Sequence, residues 1–256
     1  MKLSIVIPTK NEALLLPKLL ESIQRQELCD LEVIVADAYS TDQTREIAVS
    51  LGARVVDGGL PGPGRNRGAE VATGDVIAFF DADVILPSPR FLADCLAEMD
   101  VRSLDLATCR VMPLDSGATD DLLHEVYNLF AIATERVTPH APGFCIFVRA
   151  VVHRAIQGFD ERIVFAEDHD YAQRAVKTGA VFGILRGHRV GVSVRRLEKE
   201  GRLKLALKYI YGELHMRLKG PFTEGMPFEY EFANYTPSPK EGASEEAQKG
   251  EPNETV

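Results

Sequence analysis

The sequence predicts an α/β fold built on a mostly parallel, doubly wound sheet with helices on both faces. Three observations predict it. Apolar runs alternate with helical patterns in βαβ order from the first residues onward. The run Val76-Ile77-Ala78-Phe79-Phe80 is continuous rather than alternating, as in a strand buried on both faces of a parallel sheet. That run ends on two carboxylates, Asp81 and Asp83, separated by one small residue. Ligands in open α/β sheets bind beyond the carboxyl ends of such strands, so the acids stand where chemistry is expected.

The elements follow in order. Residues 3–8 read as the first strand and 17–26 as a helix, with Leu19, Leu20 and Ile23 on one face and Pro17 in the first turn. Residues 32–37 form the second strand. Thr41 or Asp42 can cap the next helix, which carries Ile47, Ala48 and Leu51 and stops at Gly52; residues 53–56 are a short third strand. A Gly/Pro loop is predicted over 58–64, then a helix that holds Ala69 and Ala72 and ends at Gly74, then the acid-tipped strand. Beyond Asp83 the alternation loosens, which points to a second half specialised for another substrate. It reads as a helix over 89–99, a strand over 104–112, a long helix over 120–136, a strand over 143–148, a short helix over 151–157, a helix over 167–177 closing at Gly179, and strands over 181–185 and 190–194. An amphipathic helix is predicted over 202–219, and residues 236–256 are a Pro/Ser/Glu/Lys tail too polar to fold.

Composition narrows the function classes. With 256 residues and 45% hydrophobic content, the chain can bury one large core. A net charge of -9 and a pI near 5.3 argue against a nucleic-acid binder, so an anionic ligand must be held locally. Cys29, Cys95, Cys109 and Cys145 form no Cys-x-x-Cys pair, and reduced thiols are the simple account. With no signal-peptide pattern and no apolar run of about 18 residues, the expected location is cytoplasmic, at most peripheral on the cytoplasmic face of a membrane.

Several motifs converge on one sheet edge. Two crowded carboxylates raise each other's pKa unless they share a cation, and hard oxygens of this kind suit Mg²⁺ or Mn²⁺ bridging to phosphate. Asp37 ends the second strand and delivers a third acid to the edge that carries Asp81. Pro8, Thr9, Asn11 and Glu12 follow the first strand, where they can hold a ligand or start the next helix. The stretch Gly62-Pro63-Gly64-Arg65-Asn66-Arg67-Gly68 offers amides and guanidiniums suited to phosphate. It matches neither G-x-G-x-x-G nor a P-loop, which weighs against a nicotinamide dehydrogenase or a Walker-type ATPase.

The ordered blocks Ser4-Ile5-Val6-Ile7-Pro8-Thr9-Lys10-Asn11-Glu12, Ala36-Asp37-Ala38-Tyr39-Ser40-Thr41-Asp42, Arg65-Asn66-Arg67-Gly68, Phe80-Asp81-Ala82-Asp83, Gly158-Phe159-Asp160-Glu161 and Glu167-Asp168-His169-Asp170, with Arg174 and Gly179 beyond, resemble glycosyltransferase family 2, the nucleotide-sugar transferases of the GT-A fold. The resemblance spans about residues 3–196. It implies a GT-A domain over 1–195, with a nucleotide-binding half over about 1–85 and an acceptor half over 86–195, followed by a helical extension over 196–235 and a disordered tail over 236–256. It further implies a nucleotide diphosphate-sugar donor held by Pro8, Thr9, Glu12, Asp37, Arg65, Asp81 and Ala82, with Mg²⁺ or Mn²⁺ at Asp81 and Asp83. Asp168 takes the place of the acceptor-activating base, with Glu167 and Gly143 on the acceptor side.

Departures limit the resemblance. Ala38 and Tyr39 stand where an acid and a glycine are usual. No Gln-x-x-Arg-Trp follows Asp168, and the chain has no Trp, which argues against a processive synthase. Sugar stacking would fall to Tyr39, Phe144 or Phe165, although core packing is the commoner role of an aromatic. His188 is a candidate third metal ligand against the commoner case of a surface or core histidine, and the helix over 202–219 can pack on the domain or lie on a membrane. Two other functions fit less well. A sugar-nucleotide nucleotidyltransferase would place a Gly-rich basic loop after the first strand, and a non-catalytic scaffold has no use for Asp81, Asp83 and Asp168 together.

Overall fold

A computed structural model describes residues 1–28, 30–114 and 117–193, together with 201, 208, 211, 212, 215, 220 and 222. Strands β1 (Leu3–Thr9), β2 (Leu31–Asp37), β3 (Arg54–Asp57) and β4 (Val76–Phe80) are joined by helices α1 (Leu16–Gln24), α2 (Thr44–Ser50) and α3 (Pro61–Glu70). All pairings among these four strands are parallel. Alternate side chains of β1 and β4 supply two separate cores. Leu3, Ile5, Ile7, Ala78 and Phe80 pack with Leu16, Leu19 and Phe91, whereas Val6, Ile77 and Phe79 pack with Phe159, Tyr171 and Ala172. Burial on both faces is therefore why β4 is apolar throughout. Each fully buried phenyl group there stabilises the fold by about 1.5–3 kcal/mol.

The chain then forms β5 (Val84–Ile85), α4 (Phe91–Val101), β6 (Leu106–Leu114), α5 (Ala118–Thr134), β7 (Cys145–Arg149), α6 (Ala150–Ala155), α7 (Glu167–Lys177) and β8 (Phe182–Ser193). The eight strands make one mixed sheet in the order β3-β2-β1-β4-β7-β6-β8-β5. Strand β7 runs antiparallel to β4, with Cys145 opposite Phe80 and Ile146 opposite Phe79. Its first residue thus lies beside the last residue of β4, and the segment leading into β7 is delivered to the acid-bearing edge.

Two local expectations are corrected. The Gly/Pro loop predicted over 58–64 is shorter, because the chain enters α3 at Pro61. Proline presets the helical φ at the first position, and the Gly64 N–H already donates to the Leu60 carbonyl at 2.7 Å. Gly68 of this helix serves close contact rather than flexibility: a Cβ there would lie 2.2 Å from Val6 Cγ1. The strands predicted over 181–185 and 190–194 are one strand, β8. Its pairing with β6 steps from Cys109–Leu185 to Arg110–Arg189, which leaves Arg186, Gly187 and His188 in a bulge. Glu98 on α4 accepts the N–H groups of Arg186 and Gly187 at 2.8 to 2.9 Å, so the bulge keeps its hydrogen bonds.

Cys95, Cys109 and Cys145 are buried free thiols, and burial holds Cys109 well above the usual thiol pKa. Cys29 lies outside the described residues, as does nearly all of the helix predicted over 202–219, of the extension over 196–235 and of the tail over 236–256. Among the described residues, no helix is long and apolar enough to cross a membrane.

Candidate active site

Strands β1 and β2 end in register at Thr9 and Asp37, and the loops that follow are laced together. Asp37 is fully buried. Its carboxylate accepts Thr9 Oγ1 (3.1 Å), Ser40 N–H (3.0 Å), Ser40 Oγ (2.5 Å) and Arg45 Nη1 (3.2 Å). Lys10 Nζ donates to the carbonyls of Ala38 (2.7 Å) and Tyr39 (2.6 Å), and the Glu12 N–H donates to Thr44 Oγ1 (2.8 Å). Pro8 and Glu12 are half-buried at this rim. The bonds hold Tyr39 at φ 56, a left-handed conformation that glycine adopts freely and a tyrosine does not. This explains why glycine is usual at that place. Its ring is 67% exposed, whereas Phe165 is buried and Phe144 is packed against the core. Tyr39 is the one of the three candidate stacking residues whose ring faces solvent.

Arg65 links the two halves of the site. Its side chain is 2% exposed, yet Nη2 donates to Asp81 Oδ1 and Nη1 to Glu167 Oε1, both at 2.8 Å. Its guanidinium also lies 5.4 Å from the centroid of the Phe159 ring. Burial works against the charge, but Asp81, Glu167 and Asp168 hold the guanidinium above its ordinary pKa. Glu167 is pushed up by its own burial and by Asp168, against the pull of Arg65. Glycine at position 143 makes room for this group, since a Cβ there would lie 2.3 Å from Arg65 Nη2.

Glu167 and Asp168 open α7 just after Ala166, which adopts φ 60 and turns the chain sharply into the helix. Asp168 Oδ2 accepts the Gly143 N–H at 2.7 Å and Oδ1 accepts the His169 N–H at 2.8 Å. Asp81, Arg65, Glu167, Asp168 and Gly143 therefore make one connected cluster, although they come from four separate stretches of chain.

Asp81 and Asp83 are half-exposed on either side of buried Ala82. Among the described residues, no group of three or more His, Cys, Asp or Glu gathers to hold a metal. Two hard, half-exposed carboxylates nevertheless fit Mg²⁺ or Mn²⁺, which commonly takes one or two carboxylates and completes its shell with phosphate and water. His188 is engaged elsewhere: its Nε2 lies 2.9 Å from Asp94 Oδ2 on α4, and its ring packs on Phe91.

Asn66 has a part that sequence reasoning did not assign. Its Oδ1 accepts the Phe159 N–H (2.8 Å), while Nδ2 donates to the Phe159 carbonyl (2.9 Å) and to Glu161 (3.0 Å). This clamp fixes the Gly158-Phe159 turn, and with it the start of the loop that leads to α7, against the helix that carries Arg65. The two motif blocks adjoin in space, but 93 residues separate the partners and no local pattern announces the pairing.

The mixed sheet carries Asp81-Ala82-Asp83 just beyond β4 and is faced by an acidic helix start, and its architecture is the GT-A fold, as solved structures show. The fold superposes with a TM-score of 0.67 on a mannosyltransferase from Pyrobaculum calidifontis in complex with GDP-Man and Mn²⁺, at 20% identity over 83% of this chain and 61% of that one. It superposes with a TM-score of 0.64 on residues 1–349 of S. aureus TarS in complex with UDP-GlcNAc, at 20% identity over 85% and 73% of the two chains. The model of glycosyl transferase family 2 matches residues 4–157, and the chain belongs to that family. Among curated relatives, a PGL/p-HBAD biosynthesis glycosyltransferase of Mycobacterium bovis is 40% identical over 105 residues, 38% of this chain and 39% of that protein. The GalNAc(5)-diNAcBac-PP-undecaprenol beta-1,3-glucosyltransferase of Campylobacter jejuni is 34% identical over 93 residues, 32% and 29% of the two. The match thus spans well under half the length of these relatives. The family match also ends before α7, and it is the geometry of Arg65 that ties Glu167 and Asp168 to the rest of the site.

Proposed function

We propose that the protein transfers a sugar from a nucleotide diphosphate-sugar to an acceptor hydroxyl, with inversion at the transferred carbon. One observation carries the reading: a single buried guanidinium bonds Asp81, at the carboxyl end of β4, and Glu167, next to Asp168. A donor-side acid and a candidate base are thereby brought to the same spot. Asp168 takes the proton of the attacking hydroxyl, and Glu167 and Gly143 set its position through Arg65 and the Gly143 N–H. Direct displacement needs one such base and no covalent sugar–protein bond. Asp81 and Asp83 would hold Mg²⁺ or Mn²⁺, which when bound supplies positive charge to the leaving diphosphate. The Campylobacter relative is named for a PP-undecaprenol-linked substrate, and we extend this to a lipid-linked acceptor and a place on the cytoplasmic membrane face.

The test is metal-dependent donor binding. Without a cation, the diphosphate faces two carboxylates of like charge. Asp83→Ala is expected to weaken nucleotide diphosphate binding in Mn²⁺ by roughly tenfold or more, about 1.4 kcal/mol. Titration calorimetry checks it, and binding that is equally strong in chelator for wild type and variant would refute the reading.

Tyr39 is read as the platform for the nucleobase, because its strained backbone presents an exposed ring at the donor rim. Tyr39→Gly removes a left-handed non-glycine residue that costs roughly 1–2 kcal/mol, so the melting temperature should hold or rise. Nucleotide affinity should nonetheless fall by roughly fivefold, about 1 kcal/mol of lost stacking. Unchanged affinity would remove Tyr39 from the donor pocket.

A further inference from the structure

The segment between Phe159 and α7 is held at both ends, and the second hold comes from far along the chain. The Asn66 clamp fixes Phe159. At the other end the Val164 N–H donates to the Phe222 carbonyl at 2.9 Å, and Phe165 and Phe222 form an antiparallel bridge. Their rings meet edge to face with centroids 5.6 Å apart, and the two residues are only 7% and 5% exposed. Lys208, Tyr211, Gly212 and His215 are helical, and two of them complete the cover. The His215 ring stacks on Phe222 at 3.8 Å, and Gly212 lies so close to Phe165 that a Cβ on it would be 2.5 Å from Cε1.

One strained residue lies between this hold and α7. Ala166 follows Phe165 directly and adopts φ 60, a conformation that a residue with a Cβ keeps only where its surroundings impose it. On the far side, the Ala166 carbonyl accepts the His169 and Asp170 N–H groups at 3.1 and 3.2 Å, which joins it to the first turn of α7. With Phe165 held as well, the turn cannot relax. Releasing Phe165 lets Ala166 return to an unstrained conformation and changes the direction in which the chain enters the helix. Glu167 and Asp168 then swing away from Arg65 and from the Gly143 N–H.

We propose that Phe222 is a positioning residue for Asp168, acting through Phe165 and the strained turn at Ala166. Gly212 serves the same end, because the absence of a side chain there lets the Phe165 ring seat. Asp168 set in this way is a catalytic base only on the sugar-transfer reading; its placement against Gly143 does not depend on that reading.

The experiment is residue-resolved amide hydrogen exchange of the full chain as wild type, Phe222→Ala and Gly212→Ala. Calorimetric binding of UDP and GDP in Mn²⁺ and hydrolysis of uridine and guanosine diphosphate sugars are measured on the same samples. The Gly143 amide is the reporter, since its bond is to Asp168 Oδ2. In Phe222→Ala the Val164 and Gly143 amides are expected to exchange roughly tenfold faster, whereas Phe159, held by Asn66, and Ile5 in β1 keep their wild-type rates. Gly212→Ala should act in the same direction more weakly, although alanine is the better helix former. Donor hydrolysis by Phe222→Ala should fall by roughly tenfold or more with nucleotide affinity within about twofold of wild type, a split that general loss of stability does not give. Faster exchange at Val164 alone overturns the proposal, because the contact then does not reach Asp168. Equal acceleration at Ile5 and Phe159 also overturns it and makes Phe222 part of the general core. Unchanged exchange throughout, or greater protection in Gly212→Ala, overturns it as well. Exchange as expected in a protein that binds neither nucleotide and hydrolyses no nucleotide sugar upholds the placement and strikes the transfer reading. Exchange as expected with undiminished hydrolysis by Phe222→Ala upholds the placement and strikes the assignment of the base.

Discussion

Asp168→Asn is expected to lower sugar transfer by roughly 10²–10⁴ while donor affinity stays within about twofold of wild type. Asparagine keeps the shape of the side chain and one carbonyl oxygen, so it can retain the bond from the Gly143 N–H or from the His169 N–H but cannot serve both at full strength. The resulting structural cost is small, roughly that of one neutral hydrogen bond, about 1 kcal/mol. What it loses entirely is the capacity to take a proton. Neighbouring acids are the controls. Asp160 is held down to about 2 chiefly by its bond from Arg162, and Asp170 is bound by Arg174 at 2.6 Å. Both carboxylates are committed to arginines on their own side of the loop, so Asp160→Asn and Asp170→Asn should change melting more than turnover. Single-turnover transfer with calorimetric donor binding separates the cases. Near-wild-type transfer by Asp168→Asn, or donor affinity that falls as far as turnover, would assign the base to another residue.

The first half of the fold is legible because its signals are local. A five-residue apolar run, a proline at a helix start and a glycine after a helix end each report on their own neighbourhood, and β1 to β4 follow from them in order. Strand direction in the second half is a different matter. The five residues of β7 are buried except for the last, and a short run of that kind reads the same whether its neighbours are parallel or antiparallel. Only the paired register shows that β7 runs back along β4 and so brings Gly143 to Asp81. The site had the same division. Asp81, Glu167 and Asp168 stood out as acids at element ends, and Arg65 as a cation near phosphate. That Arg65 is buried and bonded to acids 16 and 102 residues away is a long-range fact. So is the hold of Asp37 by Thr9 and Arg45, which fixes the turn that presents Tyr39.

Arg65→Met should destabilise the protein by about 3–5 kcal/mol, the usual cost of removing one partner from a buried ion pair. The size follows from what remains. Methionine fills much of the space against Phe159, but Glu167, whose side chain is 15% exposed, loses its cation while Asp168 still repels it. Asp81, at 40% exposed, is partly compensated by water and suffers less. The pH dependence carries a definite sign. Glu167 is already raised in the folded state, and without Arg65 it rises further, so folded protein binds this proton more tightly than unfolded protein does. Stability of the variant is therefore greatest below the ordinary carboxylate pKa and falls as pH rises through the raised one. Urea unfolding of wild type and Arg65→Met across that range should show a deficit that grows with pH. Adding Glu167→Gln removes the stranded charge, and the double variant should recover most of the loss and lose the slope. Gly143→Ala probes the same group without changing any charge, because its Cβ intrudes on Arg65 Nη2 and must displace the guanidinium from Asp81. A deficit independent of pH, or a double variant no more stable than Arg65→Met alone, would mean that Arg65 acts by packing on Phe159 rather than by joining the two acids.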